Sequence, residues 1–178
     1  QDFYLVFEYV KGKTLSDHIR YESGPIPETK TKEIFSQILH AFQFAAQKGA
    51  QNGAINTHNI LISEHGEVKI LDLALSKFFK QKMLKANDKE TLRAASPEEI
   101  AQKEVNAQAD VYALGLILFE MLTGKNPYET FSDAEVQHKI THAALPRITK
   151  YYPMVSAEIQ LVVDKATAKN PQERYSSL

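Results

Sequence analysis

The sequence predicts a mainly helical α+β domain in which one apolar helix is buried on all sides beside a short pair of strands. Three observations predict it. Val111, Leu114, Leu116, Ile117, Leu118, Phe119, Met121 and Leu122 leave almost no polar face on one helix, a pattern that needs neighbours all round. Ile34, Phe35, Ile38, Leu39 and Phe42 recur at spacings of three and four, which draws an apolar face along a second helix. Ile60-Leu61-Ile62 and Val68-Lys69-Ile70-Leu71 are short apolar runs joined through a turn containing Gly66, the signature of two paired strands.

In chain order, Phe3 to Val10 is rich in aromatic and β-branched residues and is predicted as a buried strand. Lys11-Gly12-Lys13 reads as a turn, and Thr14 as the N-cap of a short helix through Arg20. Gly24-Pro25 and Pro27 punctuate the next link, with Pro27 in the first turn of the long helix. That helix runs from Glu28 to Lys48 and ends at Gly49. Residues 49 to 58 are polar and irregular. After the strand pair comes a long basic loop: between Leu73 and Ala95 six basic residues stand against two acidic ones. Asp110 is expected to cap the buried helix, which Gly124 and Pro127 stop. Ser132 and Glu135 have capping-box spacing for another helix. Ile159, Val162, Val163 and Ala166 mark a last amphipathic helix before Pro171.

The bulk numbers bound the function classes. A chain of 178 residues, 43% hydrophobic with a net charge of -1, suits one packed domain. The longest apolar run, Val111 to Phe119, stops at Glu120, short of the roughly 18 residues that a membrane helix needs. Asp2 and Glu8 interrupt the opening segment, so no signal peptide is expected there. Cysteine is absent, which excludes disulfides, thiolate catalysis and cysteine zinc sites and suits a cytoplasmic setting. The balanced charge gives no argument for nucleic acid. Protein partners are expected instead.

Several motifs stand in a telling order. They are Asn59-Ile60-Leu61-Ile62, Asp72-Leu73-Ala74, Ser96-Pro97-Glu98, Asp110-Val111-Tyr112-Ala113-Leu114-Gly115, Thr123-Gly124-Lys125-Asn126-Pro127-Tyr128 and Lys169-Asn170-Pro171-Gln172-Glu173-Arg174. Together with the opening strand they resemble the large C-terminal lobe of protein kinases of the eukaryotic-like serine/threonine group, over essentially all 178 residues. The resemblance implies a protein-kinase-like fold in which residues 1-10 supply the last N-lobe strand and hinge, and residues 11-178 the helical lobe. Asp72-Leu73-Ala74 stands where the family has Asp-Phe-Gly, and Ser96-Pro97-Glu98 where it has Ala-Pro-Glu. Glu98 and Arg174 are expected to form the family's buried ion pair. Asp110 is expected to accept backbone hydrogen bonds from the catalytic loop. The family's Gly-rich loop, its lysine strand and the helix supplying a partner Glu have no counterpart in this sequence. The expected unit is therefore a C-lobe without an N-lobe, offering half of an adenine cleft.

In the family pattern H-R-D-x-x-x-x-N, the aspartate lies five residues before the asparagine. Counting back from Asn59 places Asn52-Gly53-Ala54 there. Ala54 has no carboxylate to orient or deprotonate a substrate hydroxyl, a contribution of about 3-5 kcal/mol of barrier. Asn56 stands at the position of the family's lysine, and an amide cannot supply that charge. Gly53 replaces the arginine that grips a phosphorylated loop. Asn52 and Leu73 replace the His and Phe that pack together, and Ala74 removes easy access to positive φ. The catalytic residues are therefore expected to be missing, which points to a pseudokinase acting as a regulatory or protein-interaction module. The alternative from the enzyme class is a weak or atypical ATP-dependent kinase, or a nucleotide-binding pseudokinase, when an N-lobe is present. A third reading, from the receptor class, is a remodelled cleft for a different small ligand.

Some family features persist. The resemblance makes Asn59 and Asp72 the Mg²⁺ ligands, the backbone of Glu8 and Val10 the hinge, and Leu61 the floor of an adenine pocket. The plainer alternative is that Asn59 and Asp72 brace local turns, since a metal here also needs nucleotide phosphates. No cofactor is expected of this segment alone, with ATP and Mg²⁺ the residual candidates. His138 and His142 have the i, i+4 spacing of a metal pair but no evident third ligand, and read as surface histidines. The basic loop reads as a solvated face. Thr91 and Ser96 are conceivable phosphorylation sites whose usual reader is gone at Gly53.

Overall fold

The computed structural model describes residue 4 and residues 6–49, 55–71, 84 and 88–176. The lobe is organised around one helix. Strand β1 (Gly12–Thr14) leads directly into α1 (Leu15–His18), where the Thr14 side chain accepts from Asp17 N. A π-helical turn, Ile19–Ser23, continues α1 to Gly24. Helix α2 (Glu28–Gln47) follows, with Pro27 just outside as N-cap rather than in the first turn. Strands β2 (Ile60–Ser63) and β3 (Val68–Ile70) form the expected pair. Helices α3 (Lys89–Ala94) and α4 (Pro97–Ile100) precede the long α5 (Ala107–Thr123). Helices α6 (Asp133–His142) and α7 (Ala157–Ala166) complete the helical set, with short 3-10 turns at Ile148–Lys150 and Pro171–Glu173.

Four expectations need correction. Residues 6–10 of the proposed opening strand are not in a strand, and Val6 and Tyr9 are 95% and 88% exposed. A strand is made by its partner, and among the described residues none pairs with this segment. The turn expected at Lys11-Gly12-Lys13 is instead the start of β1, which pairs antiparallel with β2 to give the sheet order β1-β2-β3. Gly12 permits that pairing, because a Cβ there would collide with the carbonyl oxygen of Ile62. Helix α5 begins earlier than expected. Its N-cap is Asn106, whose side chain accepts from Gln108 N, and Asp110 lies inside the first turn. Part of the basic loop is helix α3, capped by Asp88 accepting from Thr91 N.

Helix α5 touches three apolar clusters, which is why it can afford no polar face. Leu114, Ile117 and Met121 join Leu15 of α1, Ile38 of α2 and Ile60 of β2. Leu118, Phe119 and Leu122 meet Ile148, Ile159 and Val163. Tyr112 and Leu116 meet Leu92, Val136 and Ile140. Each such side chain, fully buried, contributes roughly 1.5–3 kcal/mol. Phe119 adds an edge-on contact with Tyr151, ring centroids 6.1 Å apart. Gly115 sets the spacing of α5 and α7, since a Cβ there would fall 2.7 Å from Thr167 Cγ2 and 2.9 Å from Ala166 Cβ. On α7, Ile159, Val163 and Ala166 are buried as expected, whereas Val162 is 37% exposed and lies off that face. Across the lobe, Ser156 N and Oγ donate to the two oxygens of Glu28 at 2.8 and 3.0 Å. That joins the first turns of α2 and α7.

The expected ion pair is present. Arg174 Nη1 and Nη2 each lie 2.8 Å from one oxygen of Glu98. Both side chains are almost fully buried. The guanidinium also donates to the carbonyls of Gln108 and Ala168 at 2.8 Å, and stands over the Tyr112 ring. Burial is the largest single influence and would raise the Glu98 carboxyl, but Arg174 and hydrogen bonds from the Glu98 backbone and Ser96 together hold it below its usual value. A bidentate pair with its remaining donors satisfied is the arrangement in which a buried charge can be tolerated.

Candidate functional site

The site is built from a tight turn that delivers the chain into β2. Asn56 N donates to Asn59 Oδ1 at 3.0 Å, and His58 N donates to Asn56 Oδ1 at 2.9 Å. Asn59 N reaches Asn56 O at 3.3 Å, and Leu71 N reaches Asn59 O at 2.8 Å. Both asparagine side chains thus fold back on local backbone, the competition that makes Asn a turn residue. The Asn56 amide oxygen is engaged in shaping the turn. Asn59 Oδ1 is an oxygen donor of the kind a hard cation takes, and it already closes the turn.

Two longer contacts fix this turn in place. Ser16 N donates to Thr57 O at 2.9 Å. Thr57 Oγ1 donates to Glu120 Oε1 at 3.0 Å, while Asn126 Nδ2 donates to Glu120 Oε2 at 3.3 Å. Burial pushes the Glu120 carboxyl above its ordinary value, and those two hydrogen bonds pull it part of the way back. On the outer side, His58 Nε2 lies 3.0 Å from Glu90 Oε2 of α3. The hydrogen bond to Glu90 raises the His58 pKa against a smaller opposing effect of burial. The same bond is the main cause that lowers Glu90. None of Thr57, His58, Glu90 and Glu120 stands out in the sequence as a site residue. Their partners lie far along the chain, so no local spacing pairs them.

The sheet supplies the neighbouring surface. Ile60 is fully buried, and Ile62, Val68 and Ile70 pack against the same core. Leu61 alternates to the opposite face, where its cross-strand neighbours are Thr14 and Lys69. Lys69 Nζ reaches Glu8 Oε2 at 3.3 Å, which holds the segment 6–10 over that face. Glu8 is exposed and Val10 half-buried. The structure therefore brings Glu8, Leu61 and Lys69 together on one side of the sheet, with Asn59 at its end.

Other expected positions fare differently. Asn52, Gly53, Ala54, Asp72, Leu73 and Ala74 lie outside the described residues, so the spacing of Asn59 to the second candidate ligand is read from sequence alone. Thr91 and Ser96 are not accessible hydroxyls. Thr91 is 2% and Ser96 0% exposed, and each is engaged in a helix cap, Thr91 with Asp88 and Ser96 with Glu99. The phosphorylation reading is thereby corrected: a cap hydroxyl with no solvent face presents nothing to a transferase. His138 and His142 are exposed on α6, as expected. Among the described residues no helix is long and apolar enough to cross a membrane.

The comparisons with known proteins agree with this architecture. The model of the protein kinase domain matches residues 1–178. The serine/threonine-protein kinase PrkC of Bacillus subtilis is 31% identical over 177 residues, which is 98% of this chain and 27% of that protein. Serine/threonine-protein kinases PknB of Mycobacterium leprae and of Mycolicibacterium smegmatis are each 32% identical, again over 98% of this chain, and the match covers 28% of each. The chain thus spans little more than a quarter of the length of these relatives. With the domain model matching residues 1–178 of this chain and the lobe organised around α5 and the Glu98–Arg174 pair, this chain belongs to the protein kinase family, as a serine/threonine-kinase-like domain.

Proposed function

We propose that this kinase-like lobe does not transfer phosphoryl groups and acts as a regulatory or protein-interaction module. The observation that carries the reading is Ala54 at the position of the catalytic aspartate. A methyl group can neither accept the substrate proton nor orient the hydroxyl, and losing such a base costs on the order of 10²–10⁴-fold in rate. Asn56 supports it from the structure. Its side-chain oxygen is bonded to His58 N, and an uncharged amide there brings no cation to the transferring phosphate. The test is a phosphotransfer assay on a version that carries its natural flanking sequence, with ATP and a generic protein substrate. Background transfer that is unchanged by Asp72→Ala is expected. Transfer that Asp72→Ala abolishes would overturn the proposal.

A second reading has its own support. Asp72 and Asn59 keep the oxygen donors suited to Mg²⁺, and Leu61 faces away from the core beside Lys69. In this reading the lobe still holds a nucleotide without turning it over. The expected result is thermal stabilisation by millimolar ATP that requires Mg²⁺ and is lost in Asp72→Ala. No shift with flanking sequence present disposes of it. The partner is expected to be a protein and the setting the cytoplasm, both following from the sequence arguments above.

A further inference from the structure

Helix α6 carries a feature that lies outside the candidate site. His138 and His142 stand one helical turn apart on its exposed side. Their rings stack with centroids 4.8 Å apart and planes inclined by 26°. Nδ1 of His142 lies 3.2 Å from the carbonyl oxygen of His138 and 2.6 Å from Thr141 Oγ1. A carbonyl can only accept, so in the tautomer that satisfies this contact Nδ1 donates and Nε2 is left with the lone pair. Metal-bound histidines are held in this way, with the second ring nitrogen donating to a carbonyl or carboxylate.

The surroundings suit a cation. Glu135 borders the same surface depression as His138. One of its oxygens accepts from Ser132 N and Oγ, and those bonds hold the carboxyl below its usual value. It supplies a negative charge at the edge of the depression that His138 lines. Lys139 also borders the depression, but its ammonium is turned to the Phe131 ring, 4.2 Å from the centroid. Among the described residues no group of three or more His, Cys, Asp or Glu is spaced to hold a metal. The protein ligands are then the two imidazoles.

We propose that His138 and His142 form a chelating pair on α6 for a single borderline transition-metal dication, with water completing the coordination shell. Imidazole nitrogens favour Cu²⁺, Ni²⁺ and Zn²⁺, and the general order of divalent affinities puts Cu²⁺ first. Mg²⁺ and Ca²⁺ demand oxygen donors and are excluded. Helix α6 packs against α3 and α4, so a cation that spans one of its turns stiffens the support of the segment running from Asp88 to Ile100.

The test uses the tag-free chain, titrated calorimetrically with Cu²⁺ and Zn²⁺ and with Mg²⁺ as the control. Electron paramagnetic resonance of the Cu²⁺ form counts the nitrogen ligands. One Cu²⁺ per chain with two nitrogen donors is expected, together with weaker Zn²⁺ binding and none for Mg²⁺. His138→Ala and His142→Ala should each weaken Cu²⁺ by about tenfold or more, with melting temperatures unchanged because both side chains are exposed. His40→Gln, on α2, should leave binding as it was. Equal affinity in either α6 variant, or binding that His40→Gln or another histidine variant removes instead, would overturn the proposal.

Discussion

Arg174 sits with its guanidinium divided between Glu98 and the carbonyls of Gln108 and Ala168, and both charged side chains are almost fully buried. The turn at Asn59 is closed by bonds of similar length, yet its outer clamp, His58 to Glu90, is half-exposed on both sides. The first region holds helices together and keeps the residues that the family uses for that purpose. The second region is where the family places its chemistry, and the function proposed above puts Ala54 and Asn56 at two of its positions. On that proposal, scaffold and chemistry are separable in this lobe. A buried ion pair cannot drift one partner at a time without a large loss of stability, whereas a surface turn can exchange a lysine for an asparagine and fold as before.

The sharpest way to break that comparison is Arg174→Ala, which strands a buried carboxylate. A loss of about 3–5 kcal/mol in denaturant melts is expected. Replacing Glu98 as well should recover only part of it, because Gln108 and Ala168 still lose their donor. Next comes Gly115→Ala, which drives a methyl group into Thr167 and Ala166 and should cost about 1–3 kcal/mol. Adding Thr167→Ser removes the Cγ2 that it strikes and keeps the hydroxyl bonded to Val163 O, so the pair should be more stable than Gly115→Ala alone.

A pH titration sharpens the scaffold side. Lys169 is pulled down to about 8, by burial first and by repulsion from Arg174 second, from an ordinary value of 10.5. Between those values the unfolded chain holds a proton that the folded chain has released. Stability therefore rises with pH across that window, and the penalty is fully present below about 8. The rise should be on the order of 1 kcal/mol, and Lys169→Met should flatten it. Tyr112 and Tyr128 are both raised, Tyr128 to about 12. Above about 10 the phenols ionise in the unfolded chain and not in the folded one, which lowers stability, so the Lys169 rise is read between about 8 and about 9.5. The smallest effect is expected at the turn, where His58→Gln or Glu90→Gln should each cost less than about 1 kcal/mol at neutral pH. A loss there as large as that from Arg174→Ala would end the contrast.

What could be read in the sequence divides along the same line. The uniform apolarity of Val111 to Leu122 announced a helix at the centre, because burial on every side leaves its mark on every residue. The Ser132 and Glu135 box was equally plain, and both bonds are present. The partnership of Glu98 and Arg174 came from motif order, since a separation of 76 positions hides it from any local pattern. Strand β1 was missed because Lys11-Gly12-Lys13 has the composition of a turn, and only its pairing with Ile62 and Ser63 makes it a strand. Asn106 was passed over as a cap because Ala107, Gln108 and Ala109 carry no apolar rhythm that would mark a helix start. At the site, the spacing from Asn59 puts Asn52-Gly53-Ala54 at the catalytic triplet, an expectation that rests on sequence because those residues lie outside the described ones. The brace of Thr57 on Glu120 could not be found that way, because neither residue is unusual until the fold brings them together.

The bond between Glu28 and Ser156 has a consequence for how the lobe is made. The two residues are 128 positions apart, and a ribosome adding about 5–20 residues per second needs on the order of ten seconds to cover that distance. Through that interval the first turn of α2 has emerged without its final anchor. The apolar side of that helix is then open to chaperones and to neighbouring nascent chains, and closure of the lobe must wait for its C-terminal helix.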